Sequence, residues 1–290
     1  MVEKNPRSLA WGWFLGVPLL LLVIFNLIPT LVSFACMGFQ WDLLSPPQWV
    51  GFDNITALAN NSRLGLVLGN TAFLIVSVTV AVVLCSVLVA WGIYTLPNPR
   101  VQTFLKTCFF APYITPSVAM SLVFGWLCQP TSELNHVLQA LGLLHEPMAF
   151  LQHPTTALPV IALVDVWKLL GYNMLLVLAG LQQLPSEVFE AATLDACPPW
   201  QQLWRHALPN LSGTLGLVGV TASLQALQTF DSVYLLTQGG PNGATQVLTF
   251  WLYHTAFLEF NIGQASVLAF LLLVLVVSGF GVKRLFHITR

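Results

Sequence analysis

Long apolar runs alternate with short polar interruptions along the whole chain. A helix needs roughly 20 apolar residues to cross the hydrocarbon core of a bilayer. Six runs reach about that length, at residues 11–34, 67–96, 107–127, 157–181, 213–236 and 265–282. The pattern therefore predicts an all-α polytopic membrane protein with six transmembrane helices in a lipid bilayer.

The composition agrees with a membrane protein and argues against several other classes. Hydrophobic residues make up 56% of the 290 residues, and charged residues only 7%. A net charge of −1 gives no electrostatic footprint for nucleic acid, so no nucleic-acid partner is expected. The five cysteines are scattered, mostly inside or beside apolar runs, and the six histidines lack ligand spacing, so no metal site is expected.

The basic residues are distributed unevenly between the two sides of the predicted spans. Eight of the ten lie on the side that holds both termini, namely Lys4, Arg7, Arg100, Lys106, Arg205, Lys283, Arg284 and Arg290. Because cytoplasmic loops carry an excess of Lys and Arg, we expect both termini in the cytoplasm. The predicted organisation is a cytoplasmic N-terminus (1–10), a first span (11–34) with an outer segment (35–66), a core bundle (67–282) that includes a cytoplasmic loop (182–212), and a cytoplasmic C-terminus (283–290).

One polar segment, "PSEVFEAATLDACPPWQQLWRHALPNL" at 185–211, interrupts the apolar runs on the predicted cytoplasmic side. Ser186 is a candidate N-cap for a first short helix, and Pro198 and Pro199 force a turn after it. A second helix carries apolar side chains at helical spacing, namely Trp200, Leu203, Trp204 and Ala207. The sequence predicts a helix-turn-helix, and the residues alone leave open whether it is a plain connector or a surface for a partner.

The same segment resembles a family motif. "EAATLDAC…ALP" is similar to the E-A-A-x-x-D-G-A…L-P loop of permease subunits of binding-protein-dependent ABC importers. Further motifs resemble the carbohydrate-uptake branch of that family, of the maltose and glycerol-phosphate type: "VGFDN", "GNTAFL", "APYITPSVAM", "VWKLLGYNMLLVLAGLQQLPSEVFEAA", "YLLTQGGPNGATQVLTFWLYHTAF" and "GQAS". The resemblance covers essentially the whole chain, and it implies a type I ABC importer permease fold in a prokaryotic inner membrane.

The resemblance also implies a role for the polar segment. In such permeases this loop is the coupling helix, which docks in a groove of a cytoplasmic ATPase. The matching positions in this chain are Glu190, Ala191, Ala192, Asp195 and Ala196. The chain departs from the family at Ala196, where the family has a turn glycine.

The partners of the chain follow from the same resemblance. They are a second permease subunit, expected to be a different chain, two cytoplasmic ATPase subunits, and an extracytoplasmic binding protein that delivers a sugar. The chain contains no G-x-x-x-x-G-K-[ST] phosphate loop. We therefore expect a transport subunit that is not an enzyme and binds no cofactor, with ATP and Mg²⁺ used by the partner ATPase.

Polar side chains in the spans suggest where a substrate passes. Span five carries Thr221, Gln225, Gln228 and Ser232 at spacings of i, i+4, i+7 and i+11, which predicts one polar stripe on a continuous helix. Together with Asn173 of span four, these groups can hydrogen-bond a sugar without the cost of a buried charge. The alternative is that they join neighbouring helices. Asp165 and Lys168, three residues apart in span four, are predicted to pair with each other.

Other functions remain open at this stage. The same machinery can import glycerol 3-phosphate or another polyol, although one basic residue within the spans favours an uncharged mono- or oligosaccharide. An ion-coupled secondary transporter needs internal repeats and ionisable residues deep in the membrane. Here no repeat is evident, and Asp165 and Lys168 are the deep ionisable pair. A membrane enzyme needs a catalytic constellation, and the sequence shows none.

Overall fold

The computed structural model describes the backbone of residues 6–288 and the side chains of residues 14–279. The helices are α1 (Pro6–Leu22), α2 (Ile28–Cys36), α3 (Asp53–Ala59), α4 (Arg63–Tyr94), α5 (Pro99–Ile114), α6 (Ser117–Leu127), α7 (Glu133–Ala140), α8 (Ala157–Gln182), α9 (Ser186–Leu194), α10 (Pro199–Gln202), α11 (Leu208–Asn210), α12 (Ser212–Leu227), α13 (Asp231–Leu236), α14 (Leu248–Tyr253) and α15 (Ile262–Ile288). Two short strands, β1 (Phe39–Gln40) and β2 (Gln48–Trp49), form an antiparallel hairpin. Lys4 and Arg290, which the orientation argument used, lie outside the described residues.

Single helices account for four of the predicted spans. They are Phe14–Cys36, Arg63–Tyr94, Ala157–Gln182 and Ile262–Gly279, each long and apolar enough to cross a membrane. π-Helical turns interrupt the helices at Val23–Leu27, Leu203–Ala207 and His254–Leu258. Two bent helix pairs, Pro99–Ile114 with Ser117–Leu127 and Pro199–Asn210 with Ser212–Leu236, bring the number to six when each pair is counted as one span. The predicted number of spans is therefore retained, but two of them are not straight.

The third span bends sharply. We expected one helix over 107–127, but α5 and α6 meet at an angle of 95°. Proline disfavours a helical conformation at the residue before it, and Thr115, which precedes Pro116, is extended with ψ 133°. The break at Pro116 therefore divides the predicted span into two helices.

The fifth span is interrupted as well. We expected one helix over 213–236, but α12 ends at Leu227 and α13 begins at Asp231. Neither proline nor glycine lies between them. The polar stripe predicted on this span is therefore divided between the end of one helix and the start of another.

The structure divides into two compact units. The first comprises the residues before Gly65 together with Trp251–Val274, and the second comprises Gly65–Phe250 with the residues from Leu275 on. In the first unit, the side-chain amide of Asn54 donates to the carbonyls of Met37 and Phe39, both at 2.9 Å. These bonds hold α3 against the β1–β2 hairpin.

The second unit has two hydrophobic clusters, and α4, α8 and α12 contribute to both. Fully buried side chains from α8 include Ile161 in one cluster and Met174 in the other. Glycines on α8 allow other helices to approach closely. A Cβ at Gly171 would clash with the backbone of Phe109 on α5, and one at Gly180 would meet Thr214 on α12.

We predict that Gly171→Ala destabilises the protein, because the added methyl group meets backbone that cannot rotate away. Overpacking of this kind typically costs about 1–3 kcal/mol. Gly92→Ala on α4 is the matched control, since a Cβ there meets no atom within 4 Å. The measurement is the unfolding transition of each purified variant in detergent. Equal stability of Gly171→Ala and Gly92→Ala would contradict the close approach of α5 and α8.

Candidate functional site

The segment at 185–211, here called the interspan loop, forms a helix-turn-helix. Its first helix is α9, and its second comprises α10, the π-helical turn Leu203–Ala207 and α11. The residue at the N-cap position is Pro185, and no side chain caps the helix. The proposed Ser186 cap was therefore wrong, because Ser186 is already the first helical residue.

One side of α9 packs on the protein itself. The ring of Phe189 lies 5.9 Å from that of Trp91 and 5.7 Å from that of Tyr94, both at the end of α4. Ala192 is only 3% exposed. This corrects the expectation that Ala192 contacts a partner protein, because in this structure its methyl group faces the interior of the same chain.

The other side of α9 is free in the structure. The exposed residues there include Glu190, Ala191 and Asp195, as the sequence predicted for a docking surface. Leu194, which sequence reasoning overlooked, has an exposed fraction of 89%. A single exposed leucine is ordinary on a protein surface, so only its position between Ala191 and Asp195 makes Leu194 a candidate for the same surface.

Ala196 ends the first helix in a left-handed conformation, with φ 55°. The amide of Cys197 donates to the carbonyl of Ala192 at 2.9 Å, and the amide of Ala196 donates to that of Thr193 at 3.0 Å. This pair of bonds is the Schellman motif, in which glycine is preferred at the left-handed position. Ala196 thus forms this turn without a glycine, and it does so at a cost in backbone strain.

Polar residues predicted to line a pathway bond to one another. The amide nitrogen of Asn173, whose residue is fully buried, donates to Gln225 at 3.3 Å and to the carbonyl of Leu169 at 2.9 Å. The hydroxyl of Thr221 donates to the side-chain oxygen of Asn173 at 3.1 Å. In this conformation Asn173 and Thr221 join α8 to α12, which supports the helix-joining alternative for these two residues.

A second polar junction lies at the break in the fifth span. The carboxylate of Asp165 on α8 is 5% exposed and accepts hydrogen bonds from Ser232 at 2.5 Å and Thr229 at 2.9 Å. Lys168 donates to the hydroxyl of Ser117 on α6. The predicted pairing of Asp165 with Lys168 was wrong, since each of these side chains bonds to a hydroxyl of another helix. Thr229 and Ser117 gave no signal in the sequence because they lie far from span four along the chain.

A small polar cavity adjoins this junction. Its volume is about 160 Å³, and its polar lining residues are Asp165, Lys168, Gln225, Gln228, Thr229, Asp231 and Ser232. Gln228 is exposed where α12 ends. Pockets that enclose a whole ligand usually measure roughly 300–1,000 Å³. The cavity is thus smaller than a complete ligand site, although Gln225 and Gln228 lie in it as the pathway prediction requires.

Comparison with known proteins places these features in context. Residues 83–287 match the family model described as "Binding-protein-dependent transport system inner membrane component". The chain is 31% identical to the diacetylchitobiose uptake system permease protein NgcF of Streptomyces coelicolor, over 94% of this chain and 81% of that protein. It is 29% identical to the lactose transport system permease protein LacF of Rhizobium radiobacter, over 85% and 83% of the two chains.

The fold also matches a solved structure. A chain of a bacterial alginate ABC transporter, solved in complex with an alginate pentasaccharide-bound periplasmic protein, superimposes with a TM-score of 0.81. The match covers 97% of this chain and 96% of that chain, at 20% sequence identity. The likeness at this identity establishes the fold.

We predict that Ala196→Gly stabilises the interspan loop by about 1 kcal/mol, because glycine adopts the left-handed conformation without the penalty of a Cβ. The control is Ala191→Gly, an exposed position within α9, where glycine should cost roughly 0.5–1 kcal/mol. Hydrogen exchange of the α9 amides measures both effects: exchange should slow in the first variant and accelerate in the second. Faster exchange in both would show that Ala196 is not strained.

Proposed function

Since the chain belongs to the family of inner membrane components of binding-protein-dependent transport systems, we propose that it forms half of the translocation pathway of an ATP-driven ABC importer for a mono- or oligosaccharide. The single observation that carries this proposal is the family match, which includes both the interspan loop and the polar cavity. As a member of this family the chain is a multi-pass membrane transport subunit and not an enzyme.

A sugar is the substrate class best supported. The relatives are named for lactose and diacetylchitobiose, and the solved transporter for alginate. The amides of Gln225 and Gln228 can donate to and accept from hydroxyl groups. Asp165 and Asp231 also line the cavity, beside the one cation Lys168. An uncharged mono- or oligosaccharide is the preferred substrate because Lys168 is the one basic residue within the predicted spans, and glycerol 3-phosphate stays the second candidate.

In this proposal a second permease subunit, which we expect to be a different chain, supplies the rest of the pathway. The volume of about 160 Å³, below that of a usual ligand site, is consistent with a shared pathway. An extracytoplasmic binding protein delivers the sugar. Two cytoplasmic ATPase subunits use ATP and Mg²⁺, and both termini of this chain lie on their side of the membrane.

The interspan loop couples the ATPase to the pathway. In this proposal the ATPase contacts the exposed side of α9 through Glu190, Ala191, Leu194 and Asp195, with Ala196 ending the helix. A displacement of α9 reaches α4 because Phe189 packs on Trp91 and Tyr94. It also reaches α8, which precedes α9 by three residues, and α8 holds the broken fifth span through Asp165. The route is a continuous series of packed and hydrogen-bonded groups.

We predict that Leu194→Asp weakens association with the ATPase about tenfold or more, because an exposed apolar contact at an interface is replaced by a charge. Leu44→Asp is the matched control, since Leu44 is 90% exposed and lies between β1 and β2, far from the interspan loop in sequence. The measurement is co-purification of the ATPase with each variant from membranes. Glu190→Arg, which reverses a charge on the same side of α9, should also reduce recovery of the ATPase.

The result against the proposal is normal ATPase recovery with both Leu194→Asp and Glu190→Arg. Ala192 is unsuitable for this test, because its burial means that a large substituent would disturb the protein itself. Insertion into the membrane is measured in parallel, since all of these positions are exposed and should leave it unchanged.

We predict that Gln228→Leu lowers the rate of sugar uptake by roughly fivefold, the effect of losing about one hydrogen bond of 1 kcal/mol. The ATPase should still co-purify, because Gln228 lies outside the interspan loop. Gln183→Leu, at an exposed glutamine directly after α8, serves as the control and should transport normally. Unchanged uptake by an assembled Gln228→Leu transporter would remove Gln228 from the pathway.

A further inference from the structure

The second helix of the interspan loop runs across the direction of the fifth span. The helical segment Pro199–Asn210 is bent by 80° from Ser212–Leu236, and the single residue Leu211 separates them. Pro199–Asn210 is shorter than the roughly 20 residues that cross the hydrocarbon core, so it does not cross by itself. With Ser212–Leu236 running along the membrane normal, the 80° bend directs Pro199–Asn210 along the membrane surface.

The apolar stripe of this helix is divided between two environments. Leu203 and Ala207 are buried in the protein, with exposed fractions of 4% and 0%. Trp200 and Trp204 belong to the same stripe but have exposed fractions of 63% and 61%. The charged side chain of Arg205 is exposed, and it lies opposite the stripe by helical spacing.

This arrangement is that of a helix lying at a lipid–water boundary. One part of the stripe rests on the protein, the adjacent part is uncovered, and the opposite face is polar. Tryptophan concentrates at such boundaries because its ring is apolar and its N–H can bond to headgroups or water. The sequence from Ala196 to Phe230 contains no acidic residue, so Arg205 also suits the negative potential of a cytoplasmic leaflet.

We propose that Pro199–Asn210 is an interfacial helix whose Trp200 and Trp204 insert into the headgroup region of the adjacent leaflet. The lipid surface, and not the ATPase, then covers these two rings. A soluble partner approaching from the water side would meet the polar face that carries Arg205. It would also meet the exposed side of α9, which precedes the turn at Ala196. The turn at Ala196 joins this helix to α9, so anchoring the helix in the lipid also fixes the depth of α9.

The test uses lipid-borne quenchers of tryptophan fluorescence. The full transporter with its ATPase subunits is reconstituted in phosphatidylcholine–phosphatidylglycerol nanodiscs, with or without lipids brominated near the headgroup end of the acyl chains. The wild type is compared with the double variant Trp200→Phe, Trp204→Phe, which keeps the apolar rings. The difference in emission between the wild type and the double variant reports on Trp200 and Trp204. Brominated lipid should lower this difference about twofold or more, because rings at the interface lie close to the bromine atoms.

Trp251→Phe is the control, because Trp251 is 7% exposed and its removal should not lower the quenchable fraction. The same measurement is repeated without the ATPase subunits, and the proposal expects the same quenching. If brominated lipid leaves the emission of Trp200 and Trp204 unchanged, the proposal is overturned. Protection of that emission from soluble acrylamide only when the ATPase is present would instead assign the two rings to the ATPase interface.

Discussion

A helix that breaks inside a membrane exposes polar groups where no bulk water can satisfy them, and this constraint governs the fifth span. The break between α12 and α13 is closed by side chains from elsewhere. The carboxylate of Asp165 accepts hydrogen bonds from the hydroxyls of Thr229 and Ser232. The hydroxyl of Thr249 donates to the carbonyl of Thr229 at 2.5 Å. Losing the carboxylate would leave two buried hydroxyls without their acceptor, so the break depends on α8 being in place.

The dependence on α8 extends through the second unit. Close to the break, Asp165 on α8 accepts a hydrogen bond from Ser232 on α13. Further along α8, Asn173 accepts a hydrogen bond from Thr221 on α12. At Gly171 the backbone of α5 approaches α8 directly, and at Gly180 the side chain of Thr214 on α12 occupies the space that a Cβ would fill. Close backbone contact and buried hydrogen bonds both resist sliding, because each has a single good geometry. A movement of α8 should therefore carry the fifth span with it as one body.

Length and hydropathy were sufficient to predict the four spans that single helices form, since about 20 apolar residues have few alternatives to crossing a membrane. They were insufficient at the two breaks. Pro116 was visible, but whether a membrane helix tolerates or bends at a proline depends on its neighbours. The break after Leu227 has no local signal, because Asp165 supplies its hydrogen bonds from another helix. The sequence also could not show that Ala192 is buried while Ala191 is exposed. The rings of Trp91 and Tyr94, on which α9 packs through Phe189, are distant from α9 in sequence.

The roles of the ionisable groups in span four bear on the energy source. An ion-coupled carrier needs membrane carboxylates or cations that change partners as the ion binds and leaves. Both oxygens of Asp165 accept hydroxyls that close the helix break, and Lys168 is engaged by Ser117 on α6. Releasing Asp165 to bind an ion would undo the junction on which the fifth span depends. The carboxylate of Asp165 and the ammonium group of Lys168 are thus committed to holding α8 against its neighbouring helices in this conformation.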